Sequence, residues 1–342
     1  MINRVVSCVL VFSTIVFPEI SHGYYVDVAD ELMTPPTSAA KVGSDLTQSS
    51  GVGVESTPAN LPFDTLNHLS LSYAGYYGNT FSSSIVSYSG QPIENTGISI
   101  LTGYIYIPDI MDTRESTVDD SGRLAEVNIS YFNASKVLFR AGIGRLLYNS
   151  KRFAVSAGIA ANAKRVRLPE TSYSVSLDGG LIGHMKTTGL SAGLQVENLT
   201  SSYTYWNHNF QERAHPHVRA GLGWEKNLPY FYGALKLSYT SIDLLSNEGI
   251  NSISYDLTEI DNKIETITQE SITDKPSLLL THGKYGIEFN IMNRVALRGG
   301  ITRDRFSFGA GIQVIENMAG LDFAYIGHAL AGTYQLAMHY TW

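Results

Sequence analysis

The sequence has few charged residues. Asp, Glu, Lys and Arg make up 16% of its 342 residues, whereas about 25% is usual in a soluble protein. Hydrophobic residues, at 44%, do not make up the difference. Gly (31 residues) and Tyr (21 residues) are instead abundant. A disordered chain needs high charge and few aromatic residues, so this composition excludes one.

An excess of basic residues is also absent, because the formal net charge is −7. Proteins that bind nucleic acid neutralise its phosphates with a basic face. We therefore expect no nucleic-acid partner.

After the N-terminus, no apolar run approaches the ~18 residues of a transmembrane helix, which excludes a helical membrane protein. The N-terminus holds Arg4, an apolar run over residues 5–17 and small residues at 21–23. This order predicts a cleaved secretory signal peptide over residues 1–23. Its removal takes away the only cysteine, Cys8, so the mature chain is predicted to contain neither a disulfide nor a thiol nucleophile.

Most of the remaining sequence alternates between apolar and polar residues with a period of two. Successive side chains of a β-strand point to opposite faces, so this pattern predicts strands whose two faces meet different surroundings. Helical spacing of apolar residues fails in the same windows. The apolar face of the last segment consists of Tyr334, Leu336, Met338, Tyr340 and Trp342.

Segment length favours a transmembrane barrel. The alternating runs have about ten to fourteen residues, whereas strands of soluble sandwiches usually have about five or six and strands that cross a bilayer about nine to eleven. We count fifteen segments, of which 66–77, 81–88 and 96–107 are the least regular. Because bacterial barrels have an even strand number, we predict an all-β, antiparallel transmembrane β-barrel of about 14 strands, with 12 or 16 as alternatives. A soluble β-sandwich or β-helix is the other all-β possibility.

The segments divide the chain. Residues 24–61 are rich in Pro, Ser and Thr without periodicity, which predicts a tail or an irregular, plug-like segment in the lumen, and residues 62–342 form the predicted barrel. Most links between segments are short, but those at 200–216 and 242–276 are longer. Because barrels have short periplasmic turns and long extracellular loops, we expect both long links outside the cell.

The longest link is acidic. From Asp243 to Lys275 it contains eight acidic residues and two lysines, which gives −6 of the total −7. Apolar residues recur every three or four positions in its middle, which predicts a short amphipathic helix or an extra hairpin. We interpret 242–276 as an extracellular loop that acts as a lid or docking surface, or as a solvated loop without a role.

No catalytic signature stands out. The sequence lacks a Gly-x-Ser-x-Gly elbow, a phosphate-binding loop and paired carboxylates. His208, His215 and His217 are close in sequence, but no carboxylate is placed to complete a metal site. We therefore predict that the protein is not an enzyme and binds neither a metal nor another cofactor.

Arginines occupy the polar faces of several predicted strands, and three of them lie on two neighbouring strands. A cluster of this kind in the lumen would attract an anionic ligand. The alternative is that they pair with lumen acids such as Glu225, Glu288 and Asp322 and stiffen the barrel. The candidate ligand-binding residues are Arg219, Arg294, Arg298 and Arg305.

The last strand carries aromatic residues up to the terminus, as the assembly signals of outer-membrane proteins do. We predict that Tyr340 and Trp342 form this signal and that the barrel-assembly machinery is a partner. An exported β-barrel without disulfides is predicted to lie in the outer membrane of a bacterial envelope, in contact with its lipid.

Three motifs stand out along the chain. Thr57-Pro58-Ala59-Asn60-Leu61 precedes the first strand, Gly193-Leu194-Gln195-Val196-Glu197-Asn198-Leu199 ends a middle strand, and Gly320-Leu321-Asp322-Phe323-Ala324-Tyr325 is followed by His328-Ala329-Leu330-Ala331-Gly332-Thr333. Together they resemble the PorV/PorQ family of outer-membrane barrels, relatives of the FadL fatty-acid transporters. The first motif has Thr57 where that family usually has Asn.

The resemblance implies a fourteen-stranded barrel with an N-terminal element near the pore. It also implies handling of secreted cargo proteins in type IX secretion, or transport across the outer membrane. The alternatives are a FadL-like channel for a hydrophobic ligand and a narrow general porin. An apolar pocket inside the barrel would favour the channel, and capture of exported proteins would favour secretion.

Overall fold

The computed structural model describes residues 32–48, 57–112, 117–118, 124–126, 129–207, 211–245, 250–255, 265–270, 272–292, 294–315, 318–328 and 331–342. The predicted signal peptide, residues 24–31 and His208 lie outside these ranges. In the described part, no helix is long and apolar enough to span a membrane.

Antiparallel strands dominate the structure. The strands are β1 (His68–Tyr76), β2 (Phe81–Ile93), β3 (Thr96–Asp112), β4 (Thr117–Val118), β5 (Leu124–Glu126), β6 (Ser130–Asn149), β7 (Phe153–Arg167), β8 (Thr171–Met185), β9 (Leu190–Glu197), β10 (Ser202–Trp206), β11 (Gln211–Ala214), β12 (His217–Leu228), β13 (Gly233–Thr240), β14 (Ile250–Tyr255), β15 (Glu265–Glu270), β16 (Lys284–Ile291), β17 (Val295–Ile301), β18 (Phe306–Ile315), β19 (Ala319–Gly327) and β20 (Thr333–Thr341). Two short α-helices, α1 (Pro36–Ala39) and α2 (Leu278–Thr281), and the 3-10 segments Pro58–Phe63 and Pro229–Phe231 complete the elements.

Fourteen strands close into one antiparallel barrel, whose wall consists of β1–β3, β6–β9, β12, β13 and β16–β20. The ring closes where β1 pairs with β20, from His68 opposite Thr341 to Gly75 opposite Tyr334. The prediction of an all-β barrel of about 14 strands is therefore confirmed. The three least regular sequence segments are the wall strands β1, β2 and β3.

Both long links contain short strands. The link at 200–216 includes β10 and β11, which extend the wall strands β9 and β12 as a hairpin. The long loop after β13 contains a separate hairpin of β14 and β15, which is one of the two forms expected for it.

The two rims of the barrel differ. The rim with β2–β3 and the other tight connections has links of two to four residues and is called the turn rim. The opposite rim carries the links 113–129 and 241–283 and is called the loop rim. All long connections thus lie at one end of the barrel.

The alternation of the sequence sets which side chains face outward. In β20 the apolar face, Tyr334 to Trp342, is 42–57% exposed, whereas Thr333, Gln335 and Ala337 are buried in the lumen. The same outward apolar face appears on other strands, for example at Leu222 of β12, which is 58% exposed. The outer surface is therefore an apolar belt of the kind that contacts lipid.

Replacing Leu222 with arginine should destabilise the barrel by about 2–4 kcal/mol, because a charge on the lipid face near mid-height has no water to solvate it. Tyr230, 95% exposed in the turn Pro229–Phe231, provides the matched control. Tyr230→Arg should change stability by less than about 0.5 kcal/mol. Folding into lipid vesicles, followed by urea titration, measures both, and equal tolerance of the two arginines would contradict the assigned outer face.

The seam between the first and last strands depends on the chain terminus. The Trp342 backbone N–H donates to the Asn67 carbonyl, and the Asn67 N–H donates to the Trp342 carbonyl, both at 3.1 Å. On the outer face, the Trp342 ring stacks on Tyr340 with centroids 5.5 Å apart. The predicted assembly residues therefore also hold the closure of the ring.

Removing Trp342, or replacing Tyr340 with aspartate, should leave unfolded protein in the periplasm. Truncation deletes the last hydrogen bonds of the seam, and aspartate places a charge on the apolar face. Heat-modifiable migration of outer-membrane fractions measures the folded barrel. Tyr230→Asp, in an exposed turn, should assemble normally, and normal amounts of folded Trp342 and Tyr340 variants would refute an assembly role.

Irregular backbone fills the lumen. Residues 32–48 and 57–63, together called the plug, are largely buried, and Lys41, Ala40 and Ala59 are at most 1% exposed. Plug backbone carbonyls accept hydrogen bonds from the wall: Ser156 Oγ donates to Ala59 O at 2.6 Å and Ser307 Oγ to Ala40 O at 2.8 Å. The described part of the predicted N-terminal segment is thus tucked into the barrel.

Glycines on the lumen faces make room for the plug. A Cβ atom on Gly158 would lie 2.4 Å from Pro58 C, and one on Gly300 would lie 2.6 Å from Lys41 C. Both contacts are to plug backbone, which cannot swing aside as a side chain can. These wall positions therefore need glycine as long as the plug occupies the lumen.

Candidate functional site

A cavity of 380 Å³ lies between the plug and the wall on the loop-rim side. Plug residues around Met33 and Leu46 form part of its lining, and most wall strands, among them β3, β6–β9, β12, β13, β16, β19 and β20, contribute the other side chains. Cavities of this size accommodate a small organic molecule.

One side of the cavity is apolar. Met33 of the plug packs with Leu101 of β3 and Leu138 of β6 in a cluster in which each is at most 8% exposed. The position of Met33 is possible because Gly103 faces it; a Cβ there would lie 2.4 Å from Met33 Sδ. Tyr76 adjoins the cluster and donates its hydroxyl hydrogen to the Leu32 carbonyl. This side could contact the apolar part of a ligand.

The rest of the lining is mainly polar, and its charged side chains include more basic than acidic ones. His328 also lines the cavity, beyond the end of β19, and burial together with nearby Arg305 lowers its pKa. It is therefore neutral at pH 7 and adds no charge. The basic residues are Arg140, Lys164, Arg219, Lys284 and Arg305, and the acidic ones are Asp45, Asp178 and Glu197.

Two ion pairs lie in the lining, one between β6 and β8 across β7 and one between the neighbouring strands β9 and β12. Arg140 Nη2 lies 3.1 Å from Asp178 Oδ2, and Arg219 Nη1 lies 3.0 Å from Glu197 Oε1. Asn162 Nδ2 also donates to Asp178 Oδ2 at 2.9 Å. These contacts fix the directions of the side chains and leave the lining with a net positive charge.

The wall is interrupted beside the cavity. Between the pairs Gly179–Val196 and Val175–Tyr203, three residues of β8 face the six residues 197–202. Asn198 and Ser201 adopt positive φ angles of 52° and 63° there. The extra residues break the regular ladder between β8 and the β9–β10 strand.

Asp178 connects this interruption to the charged lining. Its Oδ1 accepts the backbone N–H of Asn198 at 3.0 Å, in place of a ladder carbonyl. Its Oδ2 contacts Arg140 and Asn162. A ligand that attracted Arg140 would therefore act on the residue that holds the interrupted segment.

The structure separates the four predicted arginines into two places. Arg219 and Arg305 line the loop-rim cavity. Arg294 and Arg298 line a second cavity of 220 Å³ on the turn-rim side. The expectation of one cluster fails because Arg294 and Arg305 lie at opposite ends of β17, whose seven residues at about 3.3 Å each span roughly 23 Å.

Arg298 forms a buried network instead of an open site. Its Nε lies 2.8 Å from Glu288 Oε2 and its Nη1 lies 2.6 Å from Asp322 Oδ1. The network continues to His339 at 2.9 Å from Asp322 Oδ2 and to Lys41 of the plug at 3.6 Å from Glu288 Oε2. The sequence suggests pairing with lumen acids as the alternative to ligand binding. Arg298 is paired in this way with Glu288 and Asp322. Glu225, also named there, is exposed.

Of the three histidines, His217 has a described ion-pair partner, whereas His208 lies outside the described residues. His217 Nδ1 lies 3.5 Å from Asp243 Oδ2, and Asp243 accepts the Val218 N–H at 2.7 Å. In the described ranges, no three His, Cys, Asp or Glu side chains are grouped to hold a metal ion. His217 thus lies where the wall meets the start of the acidic loop.

Sequence reasoning missed Asp178, Arg140 as its partner, and the interruption at 198–201. A local signal was present in Asn198 and Ser201, since Asn adopts positive φ more readily than most residues. The polar residues that precede the aromatic run 203–206 indicated a loop, because a strand with three extra residues has the same local composition as a turn.

Comparison with known proteins supports the fold. Neither a protein-family model nor a curated protein matches the chain. The structure is similar to the TodX deltaS2S3 mutant monoaromatic hydrocarbon channel, with a TM-score of 0.53, 10% identity and coverage of 90% of this chain and 98% of that one. It is also similar to the toluene transporter TbuX of Ralstonia pickettii, with a TM-score of 0.50, 10% identity and coverage of 90% and 97%.

The chain is a closed fourteen-stranded β-barrel with an internal plug, and its fold is similar to the folds of TodX and TbuX. At 10% identity the similarity establishes the fold alone. The resemblance to PorV/PorQ rests on the three sequence motifs.

Proposed function

We propose that this protein is an outer-membrane channel that takes up hydrophobic or amphiphilic small molecules. The observation that carries the proposal is the loop-rim cavity, which has an apolar side, a basic lining and an interrupted wall beside it. The fold supports the same function, because the similar structures are described as a monoaromatic hydrocarbon channel (TodX) and a toluene transporter (TbuX).

The location follows from the surface of the barrel. Its outward face is an apolar belt, and its long connections all lie at the loop rim. Bacterial outer-membrane barrels have short periplasmic turns and long extracellular loops. The cavity, which lies toward the loop rim, then faces the cell exterior.

The lining favours a ligand with an apolar body and a polar or acidic end. Each methylene group buried against Met33, Leu101 and Leu138 contributes about 0.8 kcal/mol. The basic excess of the lining attracts a carboxylate, and Arg219 and Arg305, two of the predicted ligand-binding residues, belong to it.

The exit route is proposed to pass through the wall at residues 198–201. The plug below the cavity is held by wall hydrogen bonds and by the buried pair of Lys41 with Glu288. Moving it would break these hydrogen bonds and separate buried Lys41 from Glu288, which costs several kcal/mol. Passage of the ligand through the wall beside Asp178 needs a smaller structural change, because the hydrogen-bond ladder is already broken there.

Two variants separate these routes. Ser44 Oγ lies 2.8 Å from Ser238 Oγ, so Ser44→Cys with Ser238→Cys can lock the plug to β13 by a disulfide, and the only native cysteine is Cys8. Deleting 199–201 together with Pro216 removes the interruption. Residues 197, 198 and 202 then face the three residues 176–178 of β8, and residue 198 faces residue 215 between β11 and β12. Uptake of labelled dodecanoate and of dodecanol into cells that lack other channels for them is the measurement.

The oxidised lock should leave uptake unchanged, whereas the deletion should abolish it for both probes. Ser150→Cys with Phe153→Cys, across a turn-rim hairpin, controls for oxidation. Full uptake by the deletion variant would contradict the wall route, and absence of uptake by the wild-type protein would contradict the channel function itself.

From the resemblance to PorV/PorQ we propose a second function, the handling of secreted cargo proteins. The feature that favours it is the acidic loop 242–276, which carries −6 and includes the hairpin of β14 and β15. Deleting residues 247–274 should then abolish retention of exported proteins while dodecanoate uptake persists. Loss of uptake with unchanged retention would favour a lid over the channel.

A further inference from the structure

Three arginines near the loop rim face away from the lumen. Arg165 and Arg167 alternate on β7 with Lys164, which is buried inside the barrel, so both arginines lie on the outer surface. Arg213 of β11 pairs with Tyr203 of β10. Elsewhere this outer surface is mostly aliphatic and aromatic, which makes the position of the arginines notable.

Tyrosines connect Arg165 and Arg213 into one surface, and Arg167 lies two residues from Arg165 on the same face of β7. Arg165 lies opposite Tyr173 of β8, and Tyr173 lies opposite Tyr205 of β10. The Arg165 guanidinium is 5.9 Å from the Tyr173 ring centroid, and that of Arg213 is 5.8 Å from the Tyr203 ring centroid. We call this surface the exterior basic patch; it comprises Arg165, Arg167, Tyr173, Tyr203, Tyr205 and Arg213.

The described carboxylates do not neutralise the patch. None of them forms an ion pair with Arg165, Arg167 or Arg213. The Nε atom of Arg213 is shielded from solvent and has no hydrogen-bond partner among the described residues. Tyrosines at this height mark the interface between bilayer and water, where a positive charge is best matched by an anionic lipid headgroup.

We propose that the exterior basic patch binds the phosphate groups of a lipid in the membrane leaflet at the loop rim. Planar guanidinium groups donate paired hydrogen bonds to phosphate oxygens, and the tyrosine rings hold the arginines in place from the side. The apolar side chains below the patch, such as Val175 and Ile159, would contact the acyl chains.

The proposal takes from the proposed function only the location in the outer membrane with the loop rim outward. It does not depend on what passes through the lumen. Lipid binding can be measured on the purified full-length barrel in a neutral detergent, so failure of transport and failure of lipid binding are separate results.

The experiment titrates diphosphoryl lipid A and its dephosphorylated form into the barrel and detects bound lipid by native mass spectrometry. An arginine near a charged lipid surface contributes a factor of about five in affinity, so Arg165→Gln, Arg167→Gln and Arg213→Gln together should weaken binding about 100-fold. The dephosphorylated lipid should bind the wild-type barrel as weakly as lipid A binds the triple variant.

A matched control uses exterior arginines near the opposite rim. Arg145→Gln with Arg152→Gln, both exposed near the turn rim, should leave lipid A binding unchanged. Heat-modifiable migration checks that each variant is folded. Equal binding by the triple variant, an equal loss in the control, or full competition by millimolar inorganic phosphate would overturn the proposal, the last by showing a site for free anions.

Discussion

Deleting residues 32–48 should convert an occluded barrel into an open pore, with ion conductance in planar bilayers rising by about tenfold or more. In the intact structure this part of the plug lies against lumen faces of β9, β12, β16 and β17, close enough that glycines are needed there. Those faces otherwise carry small and polar side chains, so water would fill the space that the plug leaves.

The deletion also removes Lys41, which leaves Glu288 with Arg298 and Lys236 as partners. The acid therefore stays neutralised, and we expect the barrel to fold. Ala40→Trp is a smaller change that tests the same point. Ala40 is fully buried, and its Cβ lies 2.6 Å from the position that a Cβ on Gly309 would take. Tryptophan at position 40 should therefore displace the plug and raise the conductance, but by less than the deletion does.

Conductance of the intact protein supplies the reference, and the Ser44–Ser238 disulfide variant supplies the closed control. The disulfide variant should be as silent as the wild type, and reduction should not change it, because the plug stays seated in both. Folded deletion variants with wild-type conductance would contradict the role of residues 32–48 as the occluding element.

The barrel and its faces could be predicted because the signal is local. A strand with lipid on one side and a packed lumen on the other must alternate residue by residue, and Leu222 beside Gly223 shows that rule in the sequence itself. Strand number followed from segment length and from the requirement that a closed antiparallel ring has an even count.

The contact between plug and wall could not be predicted because it joins residues far apart in the chain. Ser307 and Ala40, for example, are 267 positions apart. The indirect signal was glycine at lumen-facing positions such as Gly158 and Gly300. Glycine there indicates close approach of backbone but not which segment approaches.

The grouping of arginines depended on strand register, which alternation does not fix. Arg294, Arg298 and Arg305 share a lumen-facing pattern, yet the height of each in the barrel decides its partner. Glu288 meets Arg298 because β16 pairs with β17 in a register that sets them directly opposite. Arg305, beyond the end of the same strand, lies in the loop-rim cavity instead.

Replacing Glu288 with glutamine should destabilise the barrel by about 3–5 kcal/mol. Glu288 is 5% exposed and is the acid shared by three cations: Arg298 at 2.8 Å, Lys41 at 3.6 Å and Lys236 at 3.7 Å. Glutamine keeps the shape and loses the charge, so the cations would repel one another in a buried site. Arg298 retains Asp322, but among the described acidic residues Lys41, 1% exposed, would retain only Asp45 at 3.5 Å.

A double-mutant cycle assigns the loss to the link between plug and wall. If repulsion of Lys41 is the cause, adding Lys41→Met to Glu288→Gln should restore part of the stability, because it removes the cation left uncompensated. Urea unfolding in lipid vesicles gives the free energies of unfolding of the four proteins. Glu225→Gln, exposed on β12, should change stability by less than about 0.5 kcal/mol. Strictly additive effects of Lys41→Met and Glu288→Gln would show that the two charges are not coupled and that this ion pair does not hold the plug to the wall.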